Sequence, residues 1–402
     1  MLWKGVSMSA TKSIPDVIAQ PESKSPFVLM EQKRPERVAT IDWMRGLVMV
    51  LMIVDHASMA FDAHHIDHDS AMFPDATTMA LPGSEFFPRW LAHLCAASFV
   101  FLMGTSLAIS VERKVIKGVS GWQIDRDILT RGFIIALLDL TLISFGSGKW
   151  VFGVLMAIGV SMMCMALLRR LPTWALLTAA LGWMLLGEFV TGVVWSPPGN
   201  SSKLAAFLFA NYSSPTVIFK YPIIPWLAVT ICGWVFGRHL IRYAAGLSDV
   251  SGKKVLWICG VASLALFAVV RGIDGYGNMF LRRTGNSWQQ WLHVSKYPPA
   301  LSYYSLELGV LFLCLAFLRT IEPRIGVRVN GPFYLFGQTA LFYYLVHRLA
   351  FETPATYSGL RGFDGLAATY GAAVLMLVLL YPMCRWYRSL KAAHPKSLLR
   401  YV

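Results

Sequence analysis

Thr40-Ile41-Asp42-Trp43-Met44-Arg45-Gly46-Leu47-Val48-Met49-Val50-Leu51-Met52-Ile53-Val54-Asp55-His56 is the stretch whose reading decides the fold class. Nothing charged or strongly polar interrupts it between Arg45 and Asp55, and the apolar character resumes to Phe61. A helix rising about 1.5 Å per residue needs about 20 such residues to cross a hydrocarbon core. Taken from Trp43 to Phe61, this is one crossing. Nine more stretches have the same character: Trp90–Val111, Gly132–Phe145, Trp150–Leu168, Trp174–Val194, Ile223–His239, Val255–Val270, Pro299–Leu318, Pro332–Leu349 and Leu366–Tyr387. The third is short, either a weaker crossing or one enclosed by its neighbours. The predicted fold is an all-α polytopic membrane protein of about ten transmembrane helices.

Composition agrees. Of 402 residues, 56% are hydrophobic and 14% charged, against roughly 25% charged in soluble domains; the mean hydropathy is +0.53. Most of the 36 Lys and Arg fall on one set of alternating loops, among them Arg113, Lys114, Lys117, Arg169, Arg170, Arg238, Arg242 and Arg388. Basic loops stay in the cytoplasm, so both ends are expected inside. The net charge of +14 is mostly this asymmetry. Being scattered over short loops, it does not describe a nucleic-acid footprint.

Residues 1–36 hold Lys4, Lys12, Lys24, Lys33 and Arg34 among Ser, Pro and Gln without an apolar core. They read as a disordered cytoplasmic lead, not a cleavable signal. The transmembrane domain is then 37–390, followed by a cytoplasmic tail at 391–402. All six cysteines lie in apolar runs, which predicts small buried hydrophobes rather than disulfides or a metal site.

Polar groups at membrane depth are functional candidates, because lipid makes them costly. Asp42 stands where a helix N-cap belongs, flanked by Arg37 and Arg45. The group reads either as a capped, anchored helix start or as a phosphate clamp facing the cytosol, since guanidinium forks suit phosphate oxygens. His56 lies about 20 Å further along the same helix, where an imidazole can serve as general base or bridge two helices. Asp55 precedes it, but adjacent helical residues point apart, so no Asp–His dyad is assumed. Asp139 and Glu307 read first as interhelical polar contacts. His93 and His347 fall at outer helix ends, where no burial is required. Tyr221-Pro-Ile-Ile-Pro-Trp226 and Lys296-Tyr297-Pro298-Pro299 open two spans, with prolines stopping the helix and aromatics anchoring the interface. Lys296 also places a cation where an anionic or sugar substrate can bind.

In order along the chain, these motifs resemble the heparan-α-glucosaminide N-acetyltransferase-like proteins, the bacterial DUF1624 group of the transmembrane acyltransferase superfamily. The resemblance rests on Arg37 to His56, Ala92-His93-Leu94-Cys95-Ala96 with Phe99 to Gly104, Tyr221 to Trp226 with Gly233 and Gly237, Lys296 to Pro299, Phe342 to His347, and Tyr381 to Tyr387. It departs from the pattern at Ala97 (usually Pro), Ala300 (usually Ser) and Asp139 (usually Glu).

The resemblance implies transfer of an acyl, in particular acetyl, group from cytosolic acyl-CoA to an amine or hydroxyl of a glycan or glycolipid on the other side of a bacterial inner membrane. Acyl-CoA is then a co-substrate, with no resident cofactor. Membrane lipid is the expected surrounding, and a homodimer is allowed. On this reading the catalytic candidates are His56, Asp55 and His93, and Arg37, Asp42 and Arg45 hold the donor. Tyr221, Trp226, Lys296, Tyr297 and His347 bind the acceptor. His56 aligns with an asparagine of the eukaryotic acetyltransferase, whose functional histidine lies in the next loop. The matching loop here, His64 to His68, therefore competes with His56; its acidic character suggests plain solvation. Two rival functions stay open: a transporter or flippase for a lipid-linked sugar, and a non-catalytic scaffold subunit.

Overall fold

Helix α1 (Ala39–Phe61) has 23 residues and so spans about 35 Å, enough to cross a bilayer. The computed structural model describes residues 38–362, 365–395 and 397–401; Arg37 and the whole of the expected N-terminal lead lie outside them. α2 (Gly83–Ile116) runs back beside α1, and α3 (Gly121–Leu138) follows. The third crossing is not short. A π-helical turn, Asp139–Ile143, and a last turn, Ser144–Ser147, extend α3 to span length. The expected stretch, Gly132 to Phe145, already held the π turn; the length it lacked is the helical start Gly121 to Arg131, whose Asp125, Arg126, Asp127 and Arg131 read as loop.

The expected fourth span opens differently. Trp150–Phe152 is a short strand, β1, and α4 (Val154–Leu168) begins only after Gly153. α5 (Thr173–Val194), a short α6 (Lys203–Leu208), β2 (Tyr212–Ser213) and β3 (Val217–Phe219) come next. β3 lies in the middle of a three-stranded sheet, parallel to β1 and antiparallel to β2. Then follow α7 (Ile223–Ala244), α8 (Gly252–Ile273), a short α9 (Trp288–Leu292) and α10 (Leu301–Ile325). The ninth crossing is broken at Thr339 into α11 (Pro332–Gln338) and α12 (Ala340–Tyr357), and α13 (Leu366–Ala393) closes the fold.

Among the described residues, eight helices are long and apolar enough to cross a membrane. They are α1, α2, α3 with its extension, α5, α7, α8, α10 and α13; α4 and the broken α11–α12 account for the other two expected crossings. Burial sorts them. The most apolar window of α2 is 78% buried and that of α13 only 17%, so α2 is central while α13, α8 and α5 present apolar flanks outward, as lipid-facing helices do. Of the cysteines, Cys95 and Cys384 are buried but Cys259 is exposed, on the outward flank of α8.

Two corrections fall at helix starts. Val38, not Asp42, is the N-cap of α1, and Asp42 instead meets Arg45 at 3.4 Å. The eighth crossing begins at Leu301, with Ala300 as an N-cap lacking a side-chain acceptor.

Backbone-to-backbone contact fixes how α1 meets α11. A Cβ on Gly46 would stand 1.8 Å from the Phe333 carbonyl oxygen, and one on Gly337 would stand 1.8 Å from that of Asp42. Membrane helices with no hydrophobic drive to associate rely on such small-residue contacts. Gly46→Ala is therefore expected to destabilise the protein by about 1–3 kcal/mol or more, because the helices must part. Gly182→Ala on α5 meets nothing within 4 Å, and is expected to gain up to about 1 kcal/mol from helix propensity. Thermal unfolding in detergent separates the two; equal midpoints would refute the close-approach argument.

Candidate active site

α1 carries Arg45 near one end and His56 near the other, and a cavity of about 990 Å³ lies along that face. Arg45 and Arg131 line it at the end where α1 begins, and Lys149, Lys220 and Lys296 at the end where α1 finishes. The cavity thus follows the length of the bundle. A second cavity of about 370 Å³, lined by Asp42, Arg45, Arg113, Lys114 and Lys117, shares the Arg45 and Ser106 wall with it. Arg45 is held there by the Ser106 hydroxyl (2.5 Å) and the Leu102 carbonyl (3.0 Å). Both arginines and lysines at this mouth suit phosphate oxygens.

His56 lines the large cavity, and its orientation comes from α12. His56 Nδ1 and His347 Nε2 are 2.8 Å apart, and His347 Nδ1 lies 2.7 Å from the Tyr343 carbonyl oxygen. Hydrogen placement follows from that last acceptor. A carbonyl only accepts, so His347 Nδ1 carries the proton; in a neutral ring its Nε2 then accepts, and His56 Nδ1 must donate. His56 Nε2 is left with a lone pair and, among the described residues, no hydrogen-bond partner. His347 itself is fully buried and stands behind His56, off the cavity wall. It positions His56; a helix end requires no burial, yet His347 is buried, and it is not on the wall where an acceptor contact was expected.

Asp55 points elsewhere, as adjacent helical residues must. It accepts from Arg89 Nη1 at 2.8 Å, and Arg89 Nη2 donates a short hydrogen bond to Asp69. His93 Nε2 approaches Asp69 Oδ2 to 3.1 Å. The result is a buried ladder, Asp55–Arg89–Asp69–His93. His93 is buried and off the cavity wall, so its geometry is that of a support. The connection after α1, expected to be a solvated acidic loop, folds inward here: Asp69 is 1% exposed.

Asp69 also anchors the segment opposite. Its backbone carbonyl accepts from Lys296 N (3.0 Å) and Tyr297 N (3.3 Å), and Asn211 Nδ2 donates to the Tyr297 carbonyl. Lys296, Tyr297 and Tyr221 line the cavity, with the two phenols 3.3 Å apart. Trp226 does not; it is fully buried against Tyr221 and Tyr303. Of the competing loop histidines, His64 is exposed and faces Asp62, and His68 packs on Phe73. Only His65 reaches the cavity wall, with Nδ1 2.8 Å from Ser58 Oγ.

Asp139 turns out to cap α4 from outside: its Oδ2 accepts from Gly153 N and Met156 N, both at 2.8 Å. Sequence reasoning missed Arg89, Asp69, Lys220 and Arg348. Arg89 stands one residue before the predicted crossing that opens at Trp90. Its signal was a cation next to an apolar run on the side where cations are scarce.

Two groups of this connection give acid sensitivity. Burial, then Arg89, pushes the His65 imidazole down to about 4. Burial alone raises a carboxyl, but Arg89 and then His93 outweigh it and hold Asp69 well below the usual carboxylate range. Between about 4 and 6.5 the unfolded chain therefore binds more protons at His65 than the folded one, and stability rises with pH. That contribution is complete above pH 6.5 and is lost as the pH falls toward 4. The unfolding midpoint is expected to drop between pH 7 and pH 5, with a flatter slope in His65→Gln; an unchanged slope would remove His65 from the account.

The profile of the heparan-alpha-glucosaminide N-acetyltransferase catalytic domain matches residues 37–271, more than half of the chain. The chain belongs to that family. No curated protein matches it. Family membership and the span-length helices together support a membrane-embedded acetyltransferase type of activity. The matched segment contains His56 and Arg89, whereas Lys296, Tyr297 and His347 lie beyond it and fold onto the same site.

Proposed function

We propose that this acetyltransferase-family protein moves an acyl group, in particular acetyl, from acyl-CoA bound at the Arg45 end to a sugar amine or hydroxyl entering at the Lys296 end. The orientation of His56 by His347 is the observation that carries this reading, because it leaves a basic imidazole nitrogen in a cavity reaching both ends. The acceptor nitrogen or oxygen attacks the thioester carbonyl carbon while His56 Nε2 takes its proton. The tetrahedral oxyanion forms beside the Lys296 ammonium, a suitable stabiliser. Its collapse breaks the C–S bond, and the departing thiolate recovers the proton from His56. The net products are acylated sugar and free CoA.

The basic lining of the smaller cavity supports the cytosolic end as the site of the donor's phosphates, with Asp42 and Arg45 on its wall. A bacterial inner membrane fits this division of donor and acceptor. Incubating the purified protein with labelled acetyl-CoA and extracted envelope glycans tests the reading. Label is expected in a glycan or glycolipid; a protein that moves sugars but leaves the thioester intact is a carrier, and one that tolerates loss of both His56 and Lys296 is a scaffold.

A further inference from the structure

The wall of the cavity around the end of α1 carries more positive charge than its own carboxylates balance. Each acid there is already engaged. Asp55 has Arg89; Glu352 has Arg361 at 2.6 Å and Arg348 at 3.4 Å; Asp67 has His68 at 3.4 Å; Asp139 has the two α4 amides. Three lysines on the same wall differ. Lys149, Lys220 and Lys296 have no ion-pair partner and no side-chain hydrogen bond among the described residues.

Lys296 is only 3% exposed, and an ammonium withdrawn from water without a counter-charge is costly. It is not alone. Lys220 Nζ and Lys296 Nζ each lie 5.3 Å from the centre of the Tyr297 ring. Like charges gathered on one ring repel unless an anion comes between them. Lys149 joins them from the strand beside β3: β1 begins at the next residue, and Lys220 N donates to the Phe152 carbonyl at 3.2 Å. The field is felt locally. Burial alone raises a phenol, yet Lys296 and then Lys220 pull Tyr297 below its ordinary value, and the Lys149 ammonium is lowered first by burial and then by Lys220.

We propose that Lys149, Lys220 and Lys296 form an oxyanion subsite around Tyr297 that takes a carboxylate or phosphate carried by the acceptor. The link to an acceptor rests on the acyltransferase reading; the anion binding does not. Because the subsite shares the cavity with His56, a sugar whose amine or hydroxyl reaches His56 places an acidic substituent or neighbouring residue among the lysines. Neutral sugars lack that hold. Lysines act as point charges rather than planar forks, so either oxyanion is accommodated, and the relative affinities identify which the site prefers.

The full-length protein in neutral detergent is titrated calorimetrically with inorganic phosphate, glucuronate and methyl glucoside. Both anions are expected to bind at least about tenfold more tightly than the neutral glucoside, and more weakly as salt rises. Lys149→Ala with Lys220→Ala is expected to lose about tenfold in anion affinity, while the paired arginine replacements keep it, at an unchanged thermal midpoint. Should the alanine pair melt early, Lys220→Gln alone carries the same tenfold criterion. A glucoside bound as tightly as the anions, or a folded lysine variant with wild-type anion affinity, overturns the subsite. His56→Ala is expected to bind phosphate normally. Failure of the acyltransferase reading has its own signature, anion binding with no transfer of label by the wild type.

Discussion

His56→Ala is expected to lower acyl transfer by about 10²–10⁴-fold, the usual contribution of a positioned general base. The loss is expected in kcat, with the KM for acyl-CoA little changed, because His56 lies some 16 Å along α1 from Arg45 at the proposed donor mouth. His347→Ala tests the orientation separately. It removes the only group among the described residues that fixes which nitrogen of His56 bears the proton, and is expected to cost a substantial part of the same factor although on this reading it touches no substrate. His347→Gln offers a partial rescue if its amide oxygen accepts from His56 Nδ1. Full transfer by His56→Ala in purified protein would rule out the assignment. Loss of transfer in His56→Ala with wild-type turnover in His347→Ala would keep the base and discard the relay.

Arg89→Met is expected to be the most destabilising single change at the site. It leaves Asp55 and Asp69 buried without the cation they share. Breaking a buried ion pair from one side costs about 3–5 kcal/mol, because the remaining charges stay uncompensated. Arg89→Lys is expected to be intermediate, since one ammonium cannot fork between two carboxylates. Combining Arg89→Met with Asp55→Asn and Asp69→Asn is expected to recover much of the loss, as neutral replacements of buried ion networks often do. The check is the thermal midpoint in detergent for the single and triple variants. A single variant that melts with the wild type would show that the ladder carries no stability.

The bundle was legible because lipid-crossing helices advertise themselves by length and apolarity. All ten expected crossings have a helix, and the depth of His56 follows from the fixed helical rise. What the sequence hides is which side of each helix faces its neighbour. In lipid the inward and outward faces are both apolar, so periodicity gives no register. Arg89 and Asp55 are 34 positions apart, and Asp69 lies in a connection whose acidic composition resembles any solvated loop. The same blindness placed Trp226 and His93 at the site when both are packed behind it. Backbone irregularities were hidden for another reason. The Asp139 carboxylate serves Gly153 and Met156 at the start of α4, and the strand at Trp150 pairs with Val217, contacts between segments that no local pattern announces.

The two imidazoles that meet at 2.8 Å are 291 positions apart, one on the first helix described and the other on the penultimate long one. A ribosome adds about 5–20 residues per second. His56 is therefore made roughly 15–60 s before the residue that orients it. During that interval the first crossing has to remain in the bilayer with its imidazole unaligned and its glycine face uncovered, since α11 is also still to come. On the proposed mechanism the nascent chain is thus inactive until nearly the whole protein has been inserted, and a truncated product ending before α12 would hold the basic Arg45 mouth without an oriented base.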